Sequence, residues 1–151
     1  MRFVVGLVLI VLSCGLSTNR PAVPAATECE NVRGTIEAFF AAPTGDCPGG
    51  EIFGDVFDQS GVRIGTTTAC IISADLKGKR ARHVKLTHTY SIGNLNFSTV
   101  DEGVLTLVRP DLFHFENNLT IVDGASGFLH AQGIADDREV NLQFSGKICV
   151  E

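Results

Sequence analysis

The stretch Val84-Lys-Leu-Thr-His-Thr-Tyr-Ser-Ile92 decides how the chain is read, because its residues change character at every step. Val84, Leu86, His88, Tyr90 and Ile92 share one side; Lys85, Thr87, Thr89 and Ser91 share the other. Side chains alternate across a β-strand with period two, so the first set predicts an inner face and the second a solvated one. The stretch 113–121 follows the same rule, placing Phe113, Phe115, Asn117, Leu119 and Ile121 inside and His114, Glu116, Asn118 and Thr120 outside. Inner rows that hold His88, Tyr90 and Asn117 among apolar neighbours describe either a filled core with satisfied polar groups or a cavity with placed polar handles.

Working outward, alternation in short runs continues from Val32, and no i, i+3, i+4 stripe lasts three turns. Candidate strands fall at 32–40, 51–57, 63–74, 83–92, 94–100, 103–109, 112–122, 127–135 and 138–149. If 94–100 and 103–109 form one long bent strand, eight strands remain. Turn chemistry separates the runs, as at Pro48-Gly-Gly50, Asp58-Gln-Ser-Gly61, Gly93-Asn94, Asp101-Glu-Gly103, Arg109-Pro-Asp111 and Asp123-Gly124. Connections this short favour antiparallel neighbours, and the regular spacing predicts an all-β sandwich or an up-and-down barrel. A barrel would also remove the sheet edges that an exported chain must otherwise protect.

Ahead of this domain, Phe3-Val-Val-Gly-Leu-Val-Leu-Ile-Val-Leu12 is an apolar run behind Arg2, shorter than the roughly 20 residues of a spanning helix. It reads as a secretory signal, with residues 1–26 a signal and disordered tether and 27–151 one barrel domain. Cleavage near Gly15–Ser17 or Ala25–Ala26 would release a secreted protein. The alternative is lipidation at Cys14, since Leu12-Ser-Cys-Gly15 resembles a lipobox, and this is the one route to a membrane. The tract 17–27 has two prolines and no periodicity.

Cys29, Cys47, Cys70 and Cys149 are an even set in an exported chain and predict two disulfides with three possible connectivities. Cys29 precedes the first strand and Cys149 ends the last, so a bond between them would join the ends if those strands meet, leaving Cys47 with Cys70. No C-x-x-C pair is present, and no metal or organic cofactor is expected. With 12 Lys and Arg against 17 Asp and Glu the formal charge is −5. The basic cluster Lys77-Gly-Lys-Arg-Ala-Arg-His83 spans a turn, so a nucleic-acid partner is set aside. That cluster is a solvated loop or a contact for an acidic surface.

The segment Ile121-Val-Asp-Gly-Ala-Ser-Gly-Phe-Leu-His-Ala-Gln-Gly-Ile134 invites a catalytic reading that its spacing refuses. A phosphate loop needs Lys and Ser or Thr after its last glycine, whereas Ile134 and Ala135 follow Gly133; a nucleophile elbow needs G-x-S-x-G, and Gly124 stands two places before Ser126 where that pattern fits but Phe128 occupies the closing position. Asp123-Gly124 instead suits a tight hairpin, with Gly127 and Gly133 at bulges or close contacts.

Taken in order, Gly54-Asp-Val-Phe-Asp-Gln-Ser-Gly-Val-Arg-Ile-Gly-Thr66, Tyr90-Ser-Ile-Gly93, Leu119-Thr-Ile-Val-Asp-Gly124, Ala125-Ser-Gly127 and Phe144-Ser-Gly-Lys-Ile148 resemble the superfamily of allene oxide cyclases and dirigent proteins over residues 52–149. The resemblance implies an eight-stranded antiparallel up-and-down β-barrel with a mainly apolar cavity, often in homo-oligomers, here a dimer or trimer. It implies a small apolar partner, oxylipin-, polyketide- or phenolic-like, whose cyclisation or coupling is steered largely by shape. Glu37, Cys70 and Tyr90 stand near the family's pocket glutamate, cysteine and tyrosine, and a disulfide at Cys70 would remove its pocket role. His88, Asn117, Phe113 and Phe115 are the candidate cavity residues. The chain lacks the longer glycine-rich segment before Ala125-Ser-Gly127, which shortens one rim. A non-catalytic carrier and a fully packed structural barrel remain the alternatives.

Overall fold

Strand β4 (Ala81–Ile92) carries the alternating stretch, and its burial follows the alternation: Val84, Leu86, His88 and Tyr90 are buried while Lys85, Thr87, Thr89 and Ser91 are exposed. The structure, a computed structural model, describes residues 28–150, so the expected signal and Cys14 lie outside the described residues. Around β4 run β1 (Glu28–Ala41), β2 (Glu51–Asp58), β3 (Arg63–Leu76), β5 (Leu95–Arg109), β6 (Leu112–Asp123), β7 (Ser126–Ala135) and β8 (Glu139–Val150). Each pairs antiparallel with its neighbour in sequence, and β1 pairs with β8 from Glu28↔Val150 to Phe39↔Glu139, which closes an eight-stranded barrel. Closure leaves each strand a partner on either side, so the backbone groups of the wall bond within it.

The eight-strand option holds because 94–100 and 103–109 form one strand. Asp101-Glu-Gly103, expected as a turn, lies within β5: Asp101 pairs with Leu86 and Leu119, and Gly103 with Val84 and Asn117. Register shifts at Ser98/Thr99 and Leu107/Arg109 supply the bend. Gly103 stays a glycine for space, since a Cβ there would come within 2.6 Å of the Phe115 ring and 2.9 Å of Asn117 Oδ1. At the β6–β7 hairpin Gly124 has φ +76°, as the tight turn requires, and a side chain would meet the Asn96 carbonyl.

The barrel has two unlike ends. One carries the start of β1, the end of β8 and the β2–β3, β4–β5 and β6–β7 turns; the other carries the β1–β2, β3–β4, β5–β6 and β7–β8 connections. Cys29 and Cys149 are directly opposed on β1 and β8 at the first end, disulfide-bonded with Cα atoms 4.0 Å apart. Cys47 and Cys70, Cα atoms 5.2 Å apart, tie the β1–β2 loop to β3 at the second. Backbone bonds from Gly49 N to Ile71 O and from Ile71 N to Gly50 O, both 3.0 Å, hold the same loop down. The core mixes small with large inner residues: Ala38, Ala69, Ala131 and Ala135 leave room for Tyr90, Phe97, Phe115 and Phe144.

Candidate functional site

The inner row of β5, Phe97, Thr99 and Asp101, faces the inner row of β4, Tyr90, His88 and Leu86, in direct register. Tyr90 and Phe97 stack at a centroid separation of 4.9 Å with planes 11° apart, and His88 also stacks on the tyrosine, at 5.4 Å. Contacts of this kind add about 0.5–1.5 kcal/mol beyond area burial. Asp101 is fully buried. Its carboxylate collects three donors: Thr99 Oγ1 gives Oδ1 a bond of 2.6 Å, Asn117 Nδ2 gives Oδ2 one of 3.0 Å, and His88 Nδ1 shares a short bond with Oδ2. A buried carboxylate needs this convergence, because desolvation of an unpaired one would cost several kcal/mol. The bond to Asp101 fixes the His88 ring by its Nδ1.

Two buried polar atoms beside this cluster have no hydrogen-bond partner among the described residues: the Tyr90 hydroxyl and Asn117 Oδ1. Burial pushes the Tyr90 phenol well above its usual pKa and the Asp101 charge pushes the same way; the nearby Thr67 hydroxyl works in the opposite direction, although its own hydrogen bond goes to the Thr89 carbonyl. Tyr90 is therefore a neutral O–H donor throughout the ordinary pH range. As the one tyrosine in a chain without tryptophan, it is its own reporter. Phenolate absorbance should rise only above pH ~10, the ordinary tyrosine value. The folded state holds that proton longer than the unfolded chain, so this contribution to stability is complete below the unfolded pKa and is lost as pH rises from there through the folded pKa. An alkaline absorbance titration followed alongside circular dichroism checks it; an ordinary tyrosine titration in the folded protein would contradict the buried placement.

The space around these residues divides at Tyr90. Toward the middle of the barrel, Thr67, His88, Tyr90, Phe115 and Asn117 line a cavity of about 10 Å³, the room of one water. Toward the first end lies a cup of about 430 Å³, within the range of small-molecule sites. Val32, Ile64, Ile92, Leu95, Leu129, Phe144 and Ile148 form its walls, and Tyr90 lies at its base. Glu28 and Glu30 continue the inner row of β1 past Val32, and with Arg33 they make a charged mouth.

The residues expected to form a pocket are thus dispersed. Tyr90 reaches both spaces, whereas His88, Asn117 and Phe115 line the small interior one. Phe113 is half-buried near the second end, away from the cup. Glu37 does not face the interior: it is exposed between the buried Ile36 and Ala38, because neighbours on a strand point to opposite faces. Cys70 follows the buried Ala69, lies on the outer side and is bonded to Cys47, so no thiol lines a pocket there. Asp101, Thr99, Thr67 and Phe97 were not foreseen. Their signal was parity: a continuous strand from Leu95 puts Phe97, Thr99, Asp101 and Gly103 in one inner row. Among the described residues no three His, Cys, Asp or Glu side chains converge as a metal site. Compared with known proteins, the chain matches no protein-family model and no curated protein.

Proposed function

We propose that the barrel binds a small, mainly apolar molecule in the cup at its first end, seated on Tyr90 at its base. The observation that carries this reading is the hydrocarbon-walled cup of about 430 Å³ beneath a charged mouth of Glu28, Glu30 and Arg33. The closed eight-stranded barrel is the architecture that the cyclase and dirigent resemblance implies, which supports that resemblance at the level of fold alone. Two disulfides are compatible with an oxidising compartment and support a secreted protein.

The test is isothermal titration calorimetry with apolar alcohols, phenols and oxygenated fatty acids. Saturable heats are expected, and Ile148→Arg, which puts a charge into the cup wall, should abolish them. Tyr90→Phe removes a hydroxyl buried away from the cup, so it should leave affinity unchanged for ligands with or without an acceptor oxygen and stabilise the free protein. Absence of saturable binding across all three classes would sink the proposal.

A further inference from the structure

The outer wall of the barrel carries two patches of opposite character. On β1, β2 and β8, Phe39 pairs across the strands with Phe53 on one side and Glu139 on the other, and one step along Glu37 pairs with Asp55 and Asn141. The two phenylalanines lie 6.1 Å apart, and Phe39 is 56 % exposed. Together with Thr66 and Thr68 these residues border a shallow groove of about 560 Å³. Arg63 occupies Asp55 at 2.7 Å, but Glu37 and Glu139 enter no ion pair among the described residues. An exposed aromatic pair flanked by free carboxylates suits a cation with apolar neighbours, by ion pairing and by cation–π attraction.

The β3–β4 hairpin supplies such a group. Pairing of β2 with β3 ends at Glu51↔Cys70, and the loop bonds reach only Ile71, so β3 from 72 to 76 runs past β2 with one edge open. At about 3.3 Å per residue this projects the hairpin by roughly 15 Å. It holds Leu76, 76 % exposed, with Lys77, Lys79, Arg80 and Arg82 exposed around it. None of those four cations enters an ion pair among the described residues, and Asp75 is the one acid beside them. An open strand edge with an exposed leucine is a surface that a soluble barrel would be expected to cover.

We propose that the Leu76–Arg82 hairpin of one copy docks on the Glu37–Phe39–Phe53–Glu139 face of a second copy. Leu76 packs against the two phenylalanines, and the cations meet Glu37 and Glu139. The contact joins different surfaces, so each pair keeps one unused hairpin and one unused face and association continues beyond the dimer unless the rotation closes a ring.

Light scattering and sedimentation of the full barrel domain over a concentration series test this. Mass should rise with concentration at low salt and fall toward the monomer near 1 M salt, where the Debye length is about 3 Å. Reversing Lys77, Lys79 and Arg80 to glutamate, or Glu37 and Glu139 to lysine, should weaken association at least tenfold, because like charges then face each other. All five side chains are exposed, and unchanged circular dichroism would establish that both variants fold. Mixed together, the two variants retain faces and hairpins of reversed charge that match, so association should return. A monodisperse monomer at every concentration would overturn the proposal, as would association that both reversals leave unchanged or a mixture that stays monomeric.

Discussion

Asp101→Ala is expected to destabilise the folded protein by about 3–5 kcal/mol, because each buried donor left without an acceptor costs about 1–3 kcal/mol. Domains of this size are held by roughly 5–15 kcal/mol, so the loss is a large share of the total. Three donors converge on the carboxylate, and alanine leaves all of them, Thr99 Oγ1, Asn117 Nδ2 and His88 Nδ1, without their acceptor in the core. Asp101→Asn should lose less, because one amide oxygen remains as acceptor while its NH₂ opposes the other donors. Urea midpoints check the order, wild type above asparagine above alanine. The asparagine variant has a second readout, because the Asp101 charge helps to hold the Tyr90 phenol high. Its phenolate absorbance should appear at lower pH than in the wild type. A double-mutant cycle with His88→Ala should give clear coupling; a loss below about 1 kcal/mol in Asp101→Ala with no coupling would mean that the cluster does not form.

The same cluster shows where the sequence was legible and where it was not. In β4 and β6 the inner rows could be read directly, since Val84, Leu86, His88 and Tyr90, then Phe115, Asn117, Leu119 and Ile121, alternate without interruption. In β5 the local chemistry of Asp101-Glu-Gly103 imitates a turn. Only tertiary context, the donors His88 and Asn117 waiting on the two neighbouring inner rows and Phe115 needing the space at Gly103, makes those residues part of a strand. Glu37 is the reverse lesson. Its own neighbours, Ile36 and Ala38, assign it to the outer face, and alternation outweighs an approximate positional likeness to another protein's pocket glutamate. The cup itself had no local signature, because its walls are the ends of six strands brought together by closure. Its base, Tyr90, was readable as an inner residue but not as the boundary between a filled interior and an open end.

Closure also sets the second large expectation, the order in which the two disulfides matter. Cys29 and Cys149 are 120 residues apart in sequence, and Cys47 and Cys70 are 23 apart. If a cross-link acts mainly by restricting the unfolded chain, the loop-entropy relation gives about 5 kcal/mol for the first and about 3.5 kcal/mol for the second. The paired variant Cys29→Ser/Cys149→Ser should therefore unfold at the lower denaturant concentration, and β1–β8 amides should lose hydrogen-exchange protection first, because this bond clamps the end of the seam that closes the barrel. Cys47→Ser/Cys70→Ser should free the β1–β2 loop while the cup, at the opposite end, keeps its affinity for apolar ligands. That pair of measurements also bears on chemistry. Equal midpoints would contradict the entropic account, whereas loss of cup binding in the Cys47/Cys70 variant at unchanged stability would return Cys70 to the site. With Cys70 on the outer side of β3, the expected result is the one in which stability moves and binding does not.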